Sequence, residues 1–318
     1  MQGVRVILVG LATVVWVSAG LTACGDGSSD SSEGLVVVST SILGDIVENV
    51  VGDAAEVEVI LGAGTDPHEA APSARQATRM READALVVNG LGFEEGLADA
   101  IDGTEDAGVP VFVAADALRD QPDGLELLPL SEADHADATE DHGGLDPHVF
   151  GDPVRMATVV DDLGAFLAEH VEGFDPATAT NYAKRLEELD LAIRTELDAI
   201  PDRRRVLVTN HDVLGYFADR YGFGIVGVVL QGGTTLAGSS AEHLVELAEV
   251  ITEHDVPAIF VDSSAPSRVA ESLARETGRR IEVVELYTES LGPSDSGADT
   301  YIGLLQTNAE RIARALRG

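Results

Sequence analysis

Hydrophobic positions along this chain fall into two alternating rhythms. Short β-branched runs at 35–39 (LVVVS), 56–61 (EVEVIL), 85–89 (ALVVN) and 109–114 (VPVFVA) predict strands. Between them ILGDIVENVVG, SARQATRMREA and FEEGLADAIDG carry apolar residues at helical spacing. The rhythm returns at 205–209, 224–230, 257–262 and 281–286, with helices predicted at 212–220, 239–254, 267–277 and 299–316. Strand–helix alternation implies parallel sheets covered on both faces. The expected fold class is therefore α/β, with two similar lobes at 35–172 and 202–318. Two helical stretches lie between them, 152–171 and 174–201. The second opens on Asp175-Pro176 and stops before Pro201, about 25 residues or nearly 40 Å of helix. Residues 173–201 are thus expected to form one stiff helix connecting the lobes.

The amino-terminal segment breaks this pattern. One positive charge, Arg5, precedes an apolar run from Val6 to about Leu21, and Leu-Thr-Ala-Cys follows. The ending resembles a bacterial lipobox. It implies a signal peptide over 1–23 and acylation of Cys24, with an ordinary secretory signal or an N-terminal anchor as the alternative. Residues 24–34 (CGDGSSDSSEG), rich in Ser and Gly, would tether the folded part to the membrane. The expected location is extracytoplasmic, touching the membrane only through the lipid on Cys24. Cys24 is also the only cysteine, so no disulfide can form and the core must hold the fold.

Charge narrows the partners. The chain carries 56 acidic and 20 basic residues, a net charge of −36. Nucleic acids and anionic lipid surfaces call for basic patches and are excluded as partners. An acidic excess favours cations in general, and salt adaptation would produce it equally.

The candidate chemistry lies in the histidines. Asp-Pro-His occurs at 66–68 and again at 146–148, and His211 directly follows the strand 205–209. Ligands of parallel α/β sheets gather at the carboxyl ends of strands. His68 follows one strand end, His211 another, and Glu289 lies just past 281–286. Three imidazoles and one carboxylate suit a tetrahedral Zn²⁺ site in the cleft between the lobes. The residues alone leave this metal reading and a purely structural one equally open. Asp66 and Asp146, two residues before their histidines, are positioned either to orient an imidazole through its other nitrogen or to form a turn. His170, His243 and His254 fall inside or at the end of helical patterns and are expected to be surface residues. His135 and His142 sit in the acidic stretch 131–143, which lacks periodicity, and either capture metal transiently or play no role. Nothing points to an enzyme. No His-Glu-x-x-His spacing occurs, GSS (238–240) and DSS (262–264) are not nucleophile elbows, and GLGFEEG lacks dinucleotide-binding spacing.

From Leu35 onward the chain resembles the ZnuA-like zinc/manganese solute-binding lipoproteins of bacterial ABC importers. The matching stretches are TDPHEAAPS, DPHVFGDP, TNHDVLGYFADRYG, ELYTESLG and DTYIGLLQTNAERI, in that order. The resemblance implies two α/β lobes joined by one long helix, with a transported metal ion held by His68, His148, His211 and Glu289. It implies an ABC permease and its ATPase as partners, with a zinc chaperone as a further candidate, and a monomeric carrier. Two departures matter. The family's last ligand is usually Asp, whereas YTES offers the longer Glu289, so the loop must retreat by about 1 Å or coordinate differently. Phe150 stands where the family often has Trp. His211 marks the zinc-type members, since imidazole suits Zn²⁺ better than Mn²⁺. The alternatives carried forward are a manganese carrier, a metal-dependent hydrolase and a surface adhesin.

Overall fold

The computed structural model describes residues 34–121, 124–130, 144–230, 235, 238–264 and 266–317. Residues 1–33, with Cys24, and 131–143, with His135 and His142, lie outside the described residues. Within them, β1 (Gly34–Thr40), β2 (Ala55–Leu61), β3 (Ala85–Val88) and β4 (Val111–Val113) form one sheet in the order β2-β1-β3-β4. A second sheet, β6-β5-β7-β8, comprises β5 (Val206–Thr209), β6 (Gly224–Val228), β7 (Ala258–Asp262) and β8 (Glu282–Leu286). Every pairing is parallel. Helices α1 (Ser41–Val51), α2 (Ala74–Glu82) and α3 (Ala98–Glu105) accompany the first sheet. Helices α6 (Gly215–Tyr221), α7 (Ala241–Glu253), α8 (Arg268–Glu276) and α9 (Tyr301–Arg317) accompany the second.

The near-continuous apolar runs of the strands follow from burial on both faces. Side chains alternate along a strand, so one run serves two cores. Val36 and Val38 of β1, Ala85 and Val87 of β3, Leu207 of β5 and Phe260 of β7 face one large core shared by both lobes. Their neighbours Val37 and Leu86 face a smaller core on the outer side of the first sheet. Val208, Ile259 and Val261 do the same in the second.

Helices α4 (Pro153–His170) and α5 (Pro176–Leu197) lie between the lobes in sequence, each opened by an Asp N-cap with Pro at the first position. The connecting helix is shorter than its pattern predicts: 22 residues, about 33 Å. It stops at Leu197, whose carbonyl accepts a hydrogen bond from Arg205 Nη2. It is also not free-standing, because it packs on α4, α1 and α9 and so touches helices of both lobes. The predicted starts of α3 and α6 come several residues later in the structure. Residues 95–97 form a short 3-10 turn, and His211–Val213 form the loop that carries a candidate ligand.

Candidate metal centre

Both sheets end in the same kind of place. The strand order reverses between β1 and β3 in one lobe and between β5 and β7 in the other, which opens a crevice at their carboxyl ends. His68 sits in the loop after β2, His148 in the turn before α4, His211 just after β5 and Glu289 just after β8. All four are buried, His68 being the most exposed at 2%. One ligand atom from each lies within 4.8 Å of every other. His211 Nε2 stands 2.8 Å from Glu289 Oε1, His148 Nε2 stands 3.5 Å from that same oxygen, and His68 Nε2 stands 3.5 Å from Oε2. The three imidazoles face one another edge-on, with centroids 5.4 to 5.9 Å apart.

These facing atoms are otherwise unsatisfied. The Nε2 atoms of all three histidines and both Glu289 oxygens make no hydrogen bond among the described residues. Such a concentration of unpaired buried polar atoms is costly unless something else satisfies them. Part of the cost is relieved by charge. Burial alone would lower the His148 pKa, but Glu289 and Asp146 outweigh it and push it up to about 10. For Glu289, burial pulls upward, and His148 with the other two imidazoles holds its pKa well below the ordinary carboxylate value. His148 and Glu289 thus favour each other's charged forms.

The two Asp-Pro-His motifs are built differently. Asp146 Oδ1 accepts both the His148 backbone N–H at 2.9 Å and its ring Nδ1 at 2.7 Å, which leaves Nε2 aimed into the cluster. Asp66 accepts the His68 backbone N–H at 2.9 Å and the Thr235 hydroxyl at 2.6 Å. The His68 Nδ1 has no hydrogen-bond partner among the described residues, so Asp66 forms the turn and does not orient the ring. His170 stacks on Phe166 of α4, and His243 Nε2 meets the Val228 carbonyl at 2.8 Å; neither reaches the cluster.

Sequence reasoning passed over Phe93, Glu94 and Asn89. Phe93 places its ring 5.1 Å from His68 and 5.6 Å from His148, and Phe150 packs on Phe93 at 5.3 Å. Glu94 is fully buried and accepts from Ser39, Asn89 N and Gly90 N, tying the ends of β1 and β3 together. Asn89 in turn donates to the Pro147 carbonyl at 2.8 Å, which suspends the His148 turn from the strand-order crevice of the first sheet. The only prior signal was GLGFEEG, directly after a strand end.

Two α/β lobes that bury three imidazoles and a carboxylate between them define a class of metal-binding proteins. The chain belongs to the ZnuA family, described as "Zinc-uptake complex component A periplasmic", whose profile matches residues 36–315. Among its relatives, the manganese-binding lipoprotein MntA of Halalkalibacterium halodurans is 30% identical over 314 residues, covering 96% of each chain. The zinc-binding protein TroA of Treponema pallidum is 30% identical over 301 residues, 91% of this chain and 92% of TroA. A solved structure of that periplasmic zinc-binding protein superposes with a TM-score of 0.76 at 28% identity, covering 89% of this chain and 99% of the other.

Proposed function

We propose that this protein is the extracytoplasmic solute-binding component of a metal ABC importer, that it captures Zn²⁺ with His68, His148, His211 and Glu289, and that it hands the ion to the membrane permease. The observation that carries this reading is the buried convergence of four ligand atoms with no other partners. Zinc bonds of 2.0–2.2 Å in tetrahedral geometry place ligand atoms about 3.4 Å apart. His211 and His148 stand 2.8 and 3.5 Å from Glu289 Oε1, near that spacing, and the four ligand atoms lie within 4.8 Å of one another. Three imidazoles, neutral once they ligate the ion, favour Zn²⁺ over Mn²⁺, which stands lowest among the first-row divalent ions. Four protein ligands fill a tetrahedral shell, whereas a hydrolytic zinc keeps one position for water. The role is therefore a carrier's, with the ion as cargo. Acylation at Cys24 would keep the carrier beside its permease, and the acidic surface would repel nucleic acid.

A manganese cargo is the second reading, favoured by the similarity to MntA. A carboxylate that binds through both oxygens would raise the coordination number and suit the harder ion. Titration calorimetry of the chelator-stripped protein with Zn²⁺ and Mn²⁺, beside a Glu289→Ala variant, separates the two. Tight 1:1 zinc binding, weak manganese binding and at least about a tenfold loss in the variant are expected. Tight manganese binding would change the cargo, and no tight binding of either ion would remove the carrier reading.

A further inference from the structure

The fourth ligand is held by a residue that is not itself in the cluster. Asp262 ends β7 and is buried at 2% exposure. It opens the Asp-Ser-Ser run at 262–264. One carboxylate oxygen accepts from Ser264, from its backbone N–H at 2.6 Å and from its hydroxyl. The other accepts from the Thr288 N–H at 3.0 Å, the Thr288 hydroxyl at 2.5 Å and the Glu289 N–H at 3.1 Å. Among the described residues the Glu289 N–H has no other acceptor.

The flanks of Glu289 are fixed independently. Leu286 pairs with Asp262 across the β7–β8 ladder, and its carbonyl accepts from Ser263 N at 2.9 Å. The Tyr287 backbone is held on both sides by Asn308 of α9, at 3.0 and 2.7 Å. Beyond the ligand, Ser290 Oγ accepts from Gly64 N at 2.6 Å and Leu291 N donates to Ser41 Oγ at 3.1 Å. Between these anchors a short side chain, Asp262, holds the N–H of a residue with a longer one, Glu289.

We infer that Asp262 is the positioning residue that sets the reach of Glu289, so that the two side-chain lengths are matched as a pair; the inference rests on the metal-carrier reading above. Asp262 holds the Glu289 N–H from β7, and the length of its side chain sets where that N–H stands. Lengthening the anchor displaces the Glu289 backbone by about 1 Å, a large error for a first-coordination distance.

The test is zinc titration of the chelator-stripped wild type, Asp262→Glu, Glu289→Asp and the double variant, with melting curves of the metal-free forms as a folding control. Each single change is expected to weaken zinc binding by about tenfold or more, the usual cost of disturbing a ligand or its support. The double variant, in which the short and long side chains trade places, is expected to bind more tightly than either single one. A merely structural Asp262 would not be rescued by shortening a different residue. Asp262→Glu binding as tightly as the wild type overturns the inference, and so does a double variant whose loss is the sum of the single losses. Where Asp262→Glu does not fold, Glu289→Asp alone decides: wild-type affinity there shows that the reach is not set. A wild type that binds no transition metal overturns the carrier reading, and the inference falls with it.

Discussion

At the residue scale the proposed capture exchanges a proton for a metal ion. His148 carries its proton up to about pH 10 because Glu289 and Asp146 outweigh the effect of burial. Capture of a metal ion by the proposed ligands would displace that proton. Calorimetry in two buffers of different ionisation heat is expected to report about one proton released per zinc ion at pH 7. The sign of the stability effect follows. The His148 pKa is raised above its ordinary 6.5, so its contribution to metal-free stability is full below 6.5 and is lost as pH rises toward 10. The Glu289 pKa is lowered from 4.5, so its contribution is full above 4.5 and is lost on acidification. Metal-free protein should thus draw most from this pair between about pH 4.5 and 6.5. The zinc-bound form needs no proton there, so the zinc-induced rise in melting temperature should grow by about 3 °C per pH unit from pH 6.5 to 9. Melting curves with and without zinc check this, and a shift that shrinks with rising pH would contradict it. That the three histidines and Glu289 would converge was legible because each sits at a strand end or turn. The split between Asp146, which orients a ring, and Asp66, which forms a turn, was not, since both motifs read Asp-Pro-His.

At the scale of elements, the two lobes meet through backbone held by side chains. Tyr216 of α6 is fully buried, donates to the Asp146 carbonyl at 2.9 Å and accepts from Leu128 N at 3.1 Å. It thereby places the start of α6, next to His211, against the turn that carries His148. Gly215 permits the approach, since a methyl group there would stand 2.3 Å from Asp146 Oδ2. That carboxylate cannot yield easily, because its other oxygen already holds His148. Gly215→Ala is therefore expected to cost about 1–3 kcal/mol in denaturant unfolding. It should also weaken zinc binding by about tenfold or more through the displaced Asp146. Tyr216→Phe removes only a hydroxyl, and its expected cost is about 1 kcal/mol. The strands and helices themselves were legible from hydrophobic period alone, to within a residue or two for all eight strands. What the sequence could not disclose was these contacts between elements distant in the chain. A hydroxyl–carbonyl bond between positions 216 and 146 leaves no local pattern to read.

At the scale of the whole molecule, the distribution of the core decides how far the lobes can part. Wide hinge closure needs two domains with separate cores and a compliant link. Here the inner faces of both sheets and the helices α1, α4, α5 and α9 share one hydrophobic core. The connecting helix is packed on helices of both lobes, so bending it would pull that core open. Polar bonds cross the same boundary, from Tyr301 N to Asp45 Oδ2 at 2.9 Å, from the Tyr301 hydroxyl to the Phe150 carbonyl at 2.8 Å, and from Arg155 to Asp219 at 3.0 Å. Separating the lobes widely would expose this apolar surface at about 25 cal/mol per Å², a cost that grows quickly with the angle. Under the proposed carrier role, capture and release of the ion would proceed through the loops that carry His68, His148, His211 and Glu289, with only slight movement of the lobes. X-ray scattering of metal-free and zinc-loaded protein is expected to give radii of gyration within about 1 Å of each other. Hydrogen exchange should slow on loading in those four loops and leave β1, β3, β5 and β7 unchanged. A large contraction on loading, or protection spread evenly over both lobes, would mean that the shared core parts after all and that the ion, not the core, holds the lobes together.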